Sequence, residues 1–209
     1  MILEHIEGLP LGVALCLCHF PPAPRSERRS MERKAVELIL SELLGDSVPR
    51  RSYDPLGRPI LLDYPDQSLS ISHTEGHAAV LLTPSADGTP GVDIETYRPQ
   101  LYDVASRYLH ADEWDRVQAT SPLTELQLRS LLWSAKETAY KVFNPPGASL
   151  LSFTATELRP DELILAYPQG GTQLSIGYQL RPDYLFTYGV HPYGISLLRL
   201  SPIYLPSRS

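Results

Sequence analysis

The sequence predicts an α+β fold made of two similar halves. Three observations carry that prediction. Strand-like stretches outnumber helical ones. The order strand, helix, strands in the first part of the chain returns as strand, helices, strands in the second. A proline-bounded turn at residues 84–90, containing Asp87-Gly88, separates the two. No repeat of the sequence itself accompanies this repetition of order. The expected division is residues 1–88 and residues 89–209.

In chain order, residues 11–20 are apolar and bounded by Pro10 and Pro21-Pro22, which reads as a buried strand. Cys16 and Cys18 would point to one face of it. A disulfide between them would be badly strained and two thiols are too few for a zinc site, so buried reduced thiols are expected. Residues 25–44 read as a helix ended by Gly45. Its second half is apolar; its first half carries Arg25, Arg28, Arg29, Arg33 and Lys34. Such a charge run is either a solvated face or an anion site.

Residues 50–65 look loop-like, with Asp54-Pro55-Leu56-Gly57-Arg58-Pro59 as a turn. Residues 68–72 alternate as a strand that leaves His73 at its end, a place for a ligand-binding histidine or for a plain exposed one. Residues 78–83 form another strand. Gly91-Val92-Asp93-Ile94-Glu95 then reads as a strand that sends Asp93 and Glu95 to one face and Val92 and Ile94 to the other. Two neighbouring carboxylates repel unless a proton or cation lies between them, and a hard divalent ion suits such oxygens. An edge strand with two exposed acids explains the same pattern.

Residues 101–109 and 112–119 are expected as short helices before a long one. The long helix has Ser121 and Pro122 as start signals and Asn144-Pro145-Pro146-Gly147 as its stop. On it, Trp133, Glu137 and Lys141 are spaced i, i+4, i+8 and share a face, with Lys136 and Tyr140 in a neighbouring stripe. Leu128, Leu131, Leu132, Ala135 and Ala139 supply the buried side. From this helix alone, a surface Glu–Lys pair worth a few tenths of a kcal/mol is a sufficient account. Five strands are expected to follow, at residues 151–157, 163–167, 173–180, 184–190 and 194–200.

Composition removes several function classes. The net charge of −6 argues against general nucleic-acid binding. No apolar run approaches the ~20 residues of a membrane span. The N-terminus lacks a basic segment followed by a long apolar one, so no signal peptide is expected and the protein reads as cytoplasmic.

Taken together, Gly91-Val92-Asp93-Ile94-Glu95 and Trp133-Ser134-Ala135-Lys136-Glu137-Thr138-Ala139-Tyr140-Lys141 resemble the paired signature of the 4′-phosphopantetheinyl transferases. Upstream, Gly57-Arg58-Pro59, Ser70-Ile71-Ser72-His73-Thr74 and Arg107-Tyr108-Leu109 with Glu113 resemble segments of the surfactin-synthetase-activating branch. The likeness runs from about residue 28 to residue 141. It implies two similar α/β halves related by pseudo-twofold symmetry, with coenzyme A between them. It also implies a monomer that moves the phosphopantetheine arm of coenzyme A to a serine of an acyl or peptidyl carrier protein, leaving adenosine 3′,5′-bisphosphate.

By the same resemblance, Asp93, Glu95 and Glu137 would hold Mg2+, with Mn2+ as the alternative. Lys141 would neutralise phosphate charge with help from Lys136, and Glu137 would activate the serine. Arg28, Arg58, Ser72 and His73 would bind the 3′-phosphate and adenosine end, and Asp93 and Lys141 the pyrophosphate. Two rivals remain: a coenzyme-A-binding protein without transferase activity, and a Mg2+-dependent phosphoester hydrolase. One departure stands out. The branch usually has a glycine-rich loop after the last lysine, where this chain has Val142-Phe143-Asn144-Pro145-Pro146-Gly147.

Overall fold

Apolar alternation along the strands builds two antiparallel sheets. The computed structural model describes residues 1–45, 48–144, 146–167 and 171–191. The first sheet contains β1 (Ile2–Ile6), β2 (Ala14–His19), β3 (Arg51–Tyr53), β4 (Pro59–Leu61), β5 (Gln67–Thr74) and β6 (His77–Pro84), in the order β1-β2-β6-β5-β4-β3. The second contains β7 (Thr89–Thr96), β8 (Thr154–Leu158), β9 (Glu162–Tyr167), β10 (Thr172–Leu180) and β11 (Tyr184–His191), in the order β7-β11-β10-β9-β8. Helix α1 (Arg25–Leu44) follows β2. Helices α2 (Gln100–Asp103), α3 (Ala111–Gln118) and α4 (Glu125–Phe143) follow β7.

The expected repetition is present in the topology. With β1 set aside, each sheet begins with a strand, passes through a long helix and adds four more strands. In each, the spatial order is first, fifth, fourth, third, second. The second half differs by inserting α2 and α3 ahead of its long helix. No helix among the described residues is long and apolar enough to cross a membrane.

Three apolar clusters follow from the pleat. Cys16 and Cys18 lie on one face of β2 with Ala35, Val36, Ile39 and Leu40 of α1. Both thiols are unpaired, and burial pushes that of Cys16 up to about 12. Leu15 and Leu17, on the opposite face of β2, join Ala79, Leu81, Val92, Ile94 and Phe186 in a cluster shared by both halves. The third packs Leu128, Leu131, Leu132, Ala135 and Ala139 of α4 onto β8, β9 and β10. Arg181 adds an ion pair between the halves, with Nη2 2.7 Å from Glu4 Oε1.

Several element boundaries differ from the sequence expectation. Helix α4 starts at Glu125 and not near Ser121. Thr124 caps it: Thr124 Oγ1 accepts from Gln127 N at 3.3 Å and Gln127 Oε1 accepts from Thr124 N at 3.1 Å. Residues 50–65 are not simply a loop, because β3 and β4 form a hairpin around the expected turn. Residues 101–109 hold the single turn of α2 and a 3-10 turn at Ala105–Arg107 instead of one helix. The strand expected from residue 151 begins at Thr154, after another 3-10 turn. The strand expected at residues 194–200, and Pro145 of the loop after α4, lie outside the described residues.

Candidate active site

The site begins where β7 lies beneath α4. Val92 and Ile94 face the first half, which leaves Gly91, Asp93 and Glu95 on the side of α4. A Cβ at Gly91 would stand 2.5 Å from Thr138 O and 2.6 Å from Val142 Cγ2. The missing side chain therefore lets α4 lie close enough to bring Lys141 onto Asp93. A buried polar ladder fixes the helix from its other neighbour: Thr187 Oγ1 of β11 lies 2.9 Å from Ser134 Oγ and 2.6 Å from Thr138 Oγ1.

The free edge of β7 is held by serine hydroxyls in place of a neighbouring strand. Ser70 Oγ of β5 accepts from Val92 N at 3.0 Å, and Ser72 Oγ accepts from Ile94 N at 3.3 Å. Their i, i+2 spacing matches the repeat of outward N–H groups along β7. Ser72 Oγ also donates to Asp93 Oδ1 at 2.8 Å. The same oxygen accepts from Lys141 Nζ at 2.9 Å, and Lys141 Nζ donates to Val92 O at 2.8 Å.

Two buried carboxylate oxygens in this cluster have no hydrogen-bond partner, Asp93 Oδ2 and Glu95 Oε1. The other oxygen of Glu95 accepts from Arg98 Nη2 at 2.6 Å. Burial raises Glu95 to about 7; Arg98 opposes the shift and the Asp93 charge adds to it. Glu137 is half-buried, and it too is raised, first by burial and then by Asp93, with Lys141 opposing. Buried carboxylate oxygens short of donors, with Glu95 and Glu137 held toward their neutral forms, are a chemical match for a hard divalent cation. Among the described residues, no three carboxylate, histidine or cysteine side chains are grouped closely enough to hold a metal ion as they stand.

Lys141 also lines a cleft of about 1210 Å³ that opens between the halves. One wall comes from α4, with Tyr140, Lys141 and Asn144; the other comes from α1, β5 and the β3–β4 hairpin, with Arg29, Arg33, Arg58 and His73. Arg58 has a buried, unpartnered Nε. His73 Nδ1 lies 3.4 Å from Glu32 Oε2 of α1. Several guanidinium groups facing one lysine make a site for a ligand with more than one phosphate.

The structure thus brings together Asp93, Glu95, Glu137, Lys141 and Ser72, and places Arg58 and His73 on the facing wall. It corrects two expectations. Lys136 does not face the cleft: its side chain and that of Glu113 are 0% exposed, and Nζ donates to Glu113 Oε2 at 2.8 Å and to Tyr108 O at 2.6 Å. Glu113 Oε1 also accepts from Ala155 N at 2.6 Å, so this pair locks α3, α4 and β8 together. Arg28 is not among the residues that line the cleft and donates from Nη2 to Glu75 Oε1 at 3.2 Å, while Arg29 and Arg33 line it. Ser72 spends its proton on Asp93, so its role here is to hold that carboxylate. Sequence reasoning missed Arg98, although its i+3 spacing from Glu95 was a usable sign. It also missed the reach of Asn144, for which no local pattern gives a sign.

A family model of the 4′-phosphopantetheinyl transferase superfamily matches residues 89–188, the stretch that carries β7, α4 and their carboxylates. A 4′-phosphopantetheinyl transferase of Bacillus subtilis is 34% identical over 86 residues, which is 41% of this chain and 37% of that relative. The match therefore spans little more than a third of the relative's own length. Over residues 89–188, which carry β7 and α4, the chain is similar to the 4′-phosphopantetheinyl transferase superfamily.

Proposed function

We propose that this protein moves the phosphopantetheine arm of coenzyme A to a serine hydroxyl of an acyl or peptidyl carrier protein, in a Mg2+-dependent reaction that releases adenosine 3′,5′-bisphosphate. The observation that carries the reading is the Lys141–Asp93 pair. It sits beside two buried, unpartnered carboxylate oxygens and at a cleft whose facing wall is cationic. In this reading residues 1–88 hold the nucleotide end of coenzyme A and residues 89–209 the reacting end, within a cytoplasmic monomer.

Asp93, Glu95 and Glu137 are the residues that would hold the divalent ion. When bound, such an ion would supply charge neutralisation at the pyrophosphate. Lys141, fixed by Val92 O and Asp93, faces the cleft with its charge and stabilises the negative charge that develops on the pyrophosphate as the phosphorus–oxygen bond breaks. Glu137, raised by burial, accepts the proton of the incoming serine hydroxyl. Arg58 and His73, joined by Arg29 and Arg33, hold the 3′-phosphate and adenosine end and set the attacking geometry.

The test is transfer to an apo carrier protein followed by mass spectrometry. Coenzyme A binding with no product on several acyl and peptidyl carriers would instead assign a binding protein. Consumption of coenzyme A without any carrier would assign a hydrolase.

A further inference from the structure

Among the described residues, Asn144 is the non-glycine position with a positive φ, at φ 41° and ψ 52°. Its backbone N–H donates to Tyr140 O at 2.6 Å and closes α4. Glycine is the usual occupant of a left-handed helix end, because a Cβ makes that conformation uphill. The asparagine side chain contributes something the helix end does not require. Its Nδ2 donates to Leu56 O at 2.9 Å, on the tip of the β3–β4 hairpin in the other half of the molecule.

That tip is itself stiff. Asp54 Oδ1 accepts from Leu56 N at 2.9 Å and from Arg58 N at 2.8 Å, and Gly57 N donates to Asp54 O at 2.9 Å. Gly57 supplies the left-handed step, at φ 79°. The carbonyl that Asn144 grips therefore belongs to the same fixed turn that carries Arg58. On the other wall, Asn144 lies three residues beyond Lys141, on the end of the helix that places that lysine. Leu56, Arg58, Lys141 and Asn144 all line the one cleft.

We infer that Asn144 is a positioning residue: its amide straps the hairpin tip to the end of α4 and fixes the spacing between Arg58 and Lys141 across the cleft. The inference rests on the reading of the cleft as a coenzyme A site. A ligand with a phosphate at its nucleotide end and a pyrophosphate further along bridges these two cations. It binds best when their separation is set before it arrives.

Asn144→Gly isolates the strap, since glycine keeps the left-handed backbone and removes the amide alone. Calorimetry measures coenzyme A and 3′-dephospho-coenzyme A on the wild-type protein and the variant; transfer kinetics give kcat and KM. Coenzyme A affinity falls about fivefold to tenfold, the worth of one hydrogen bond. KM rises by the same factor, and kcat at saturation stays within about twofold. The difference between the two proteins shrinks for the dephospho ligand, which gives Arg58 no phosphate to hold. The melting temperature moves by no more than about 2–4 °C, the worth of that one bond less the relief of a left-handed Cβ.

Unchanged coenzyme A affinity in a folded Asn144→Gly overturns the inference, and a fall in melting temperature without loss of affinity reduces Asn144 to a helix cap. If Asn144→Gly does not fold, Asn144→Asp, which presents an acceptor to the Leu56 carbonyl, takes its place under the same criteria. Wild-type protein that binds no coenzyme A overturns the functional reading and this inference with it. Wild-type binding that survives the loss of the amide overturns the strap alone.

Discussion

Replacing Gly91 by alanine forces α4 away from β7. The added Cβ meets Thr138 O at 2.5 Å and Val142 Cγ2 at 2.6 Å, whereas ordinary contact begins near 3.4 Å. Neither obstacle is the loose end of a flexible side chain: one is helix backbone and the other a β-branched residue in the core. The helix must retreat by about 1 Å to restore contact distances. Glu137 and Lys141 immediately precede Thr138 and Val142, so the same retreat carries both from Asp93. The Lys141–Asp93 bond, 2.9 Å long, opens beyond hydrogen-bonding range. Overpacking of this kind costs about 1–3 kcal/mol, which lowers the melting temperature of a chain this size by roughly 3–10 °C. A displacement of about 1 Å at reacting groups costs about 10²-fold in turnover. Thermal melting and carrier-protein transfer at saturating coenzyme A measure the two effects. A Gly91→Ala variant with wild-type turnover would refute the argument that the bare backbone at residue 91 sets the position of Glu137 and Lys141.

Lys141→Ala should lower turnover at saturating coenzyme A by about 10²-fold or more, because the phosphate-facing charge is lost; wild-type rates would remove Lys141 from the chemistry. Lys136→Met should act on stability, by about 3–5 kcal/mol in denaturant titration, since it leaves Glu113 buried and uncompensated; pairing it with Glu113→Leu should restore most of the loss. Glu95 gives the protein a pH signature. Its native value of about 7 lies above the ordinary 4.5, so the folded state binds this proton more tightly than the unfolded chain does. Its contribution is full below about pH 4.5 and declines as pH rises through about 7, on the order of 3 kcal/mol in all. Denaturation across that range without divalent ions should show the decline in wild-type protein and not in Glu95→Gln; identical profiles would contradict the burial of Glu95 as its cause. Added Mg2+ should stabilise the wild-type protein at about pH 8 more than it stabilises Glu95→Gln.

The parts of the fold that depend on local periodicity were legible in the sequence. The alternation of Val92, Asp93, Ile94 and Glu95 told which side chains face the core between the halves, and the Cys16–Cys18 spacing told the same of β2. The limits of α1, Arg25 and Gly45, coincide with the observed ones. Strands β3 and β4 are three residues each, too short for a pattern, and draw their order from pairing with each other and with β5. The start of α4 was placed on Ser121-Pro122, while the reciprocal Thr124–Gln127 bonds cap the helix one turn later. At the site, residue types and spacings marked Asp93, Glu95, Glu137 and Lys141. They could not separate Lys136 from Lys141, because two lysines on adjacent stripes of one helix look alike until the other elements are packed. Glu113 comes from α3 and claims the first of them. Arg28 and Arg29 likewise differ by one step of about 100° around α1, and that step decides which faces the cleft.

Intact-mass analysis of an apo carrier protein incubated with this protein, coenzyme A and Mg2+ puts the proposed transfer at the carboxylate cluster to the test. The carrier should gain one phosphopantetheine unit; EDTA should abolish the gain, and Glu137→Ala should abolish it too while leaving coenzyme A binding in place. A gain of the same unit with undiminished rate in Glu137→Ala, or in EDTA, would contradict the assignment of the carboxylate cluster as the reacting centre. The absence of any gain across acyl and peptidyl carriers would contradict the transferase reading itself.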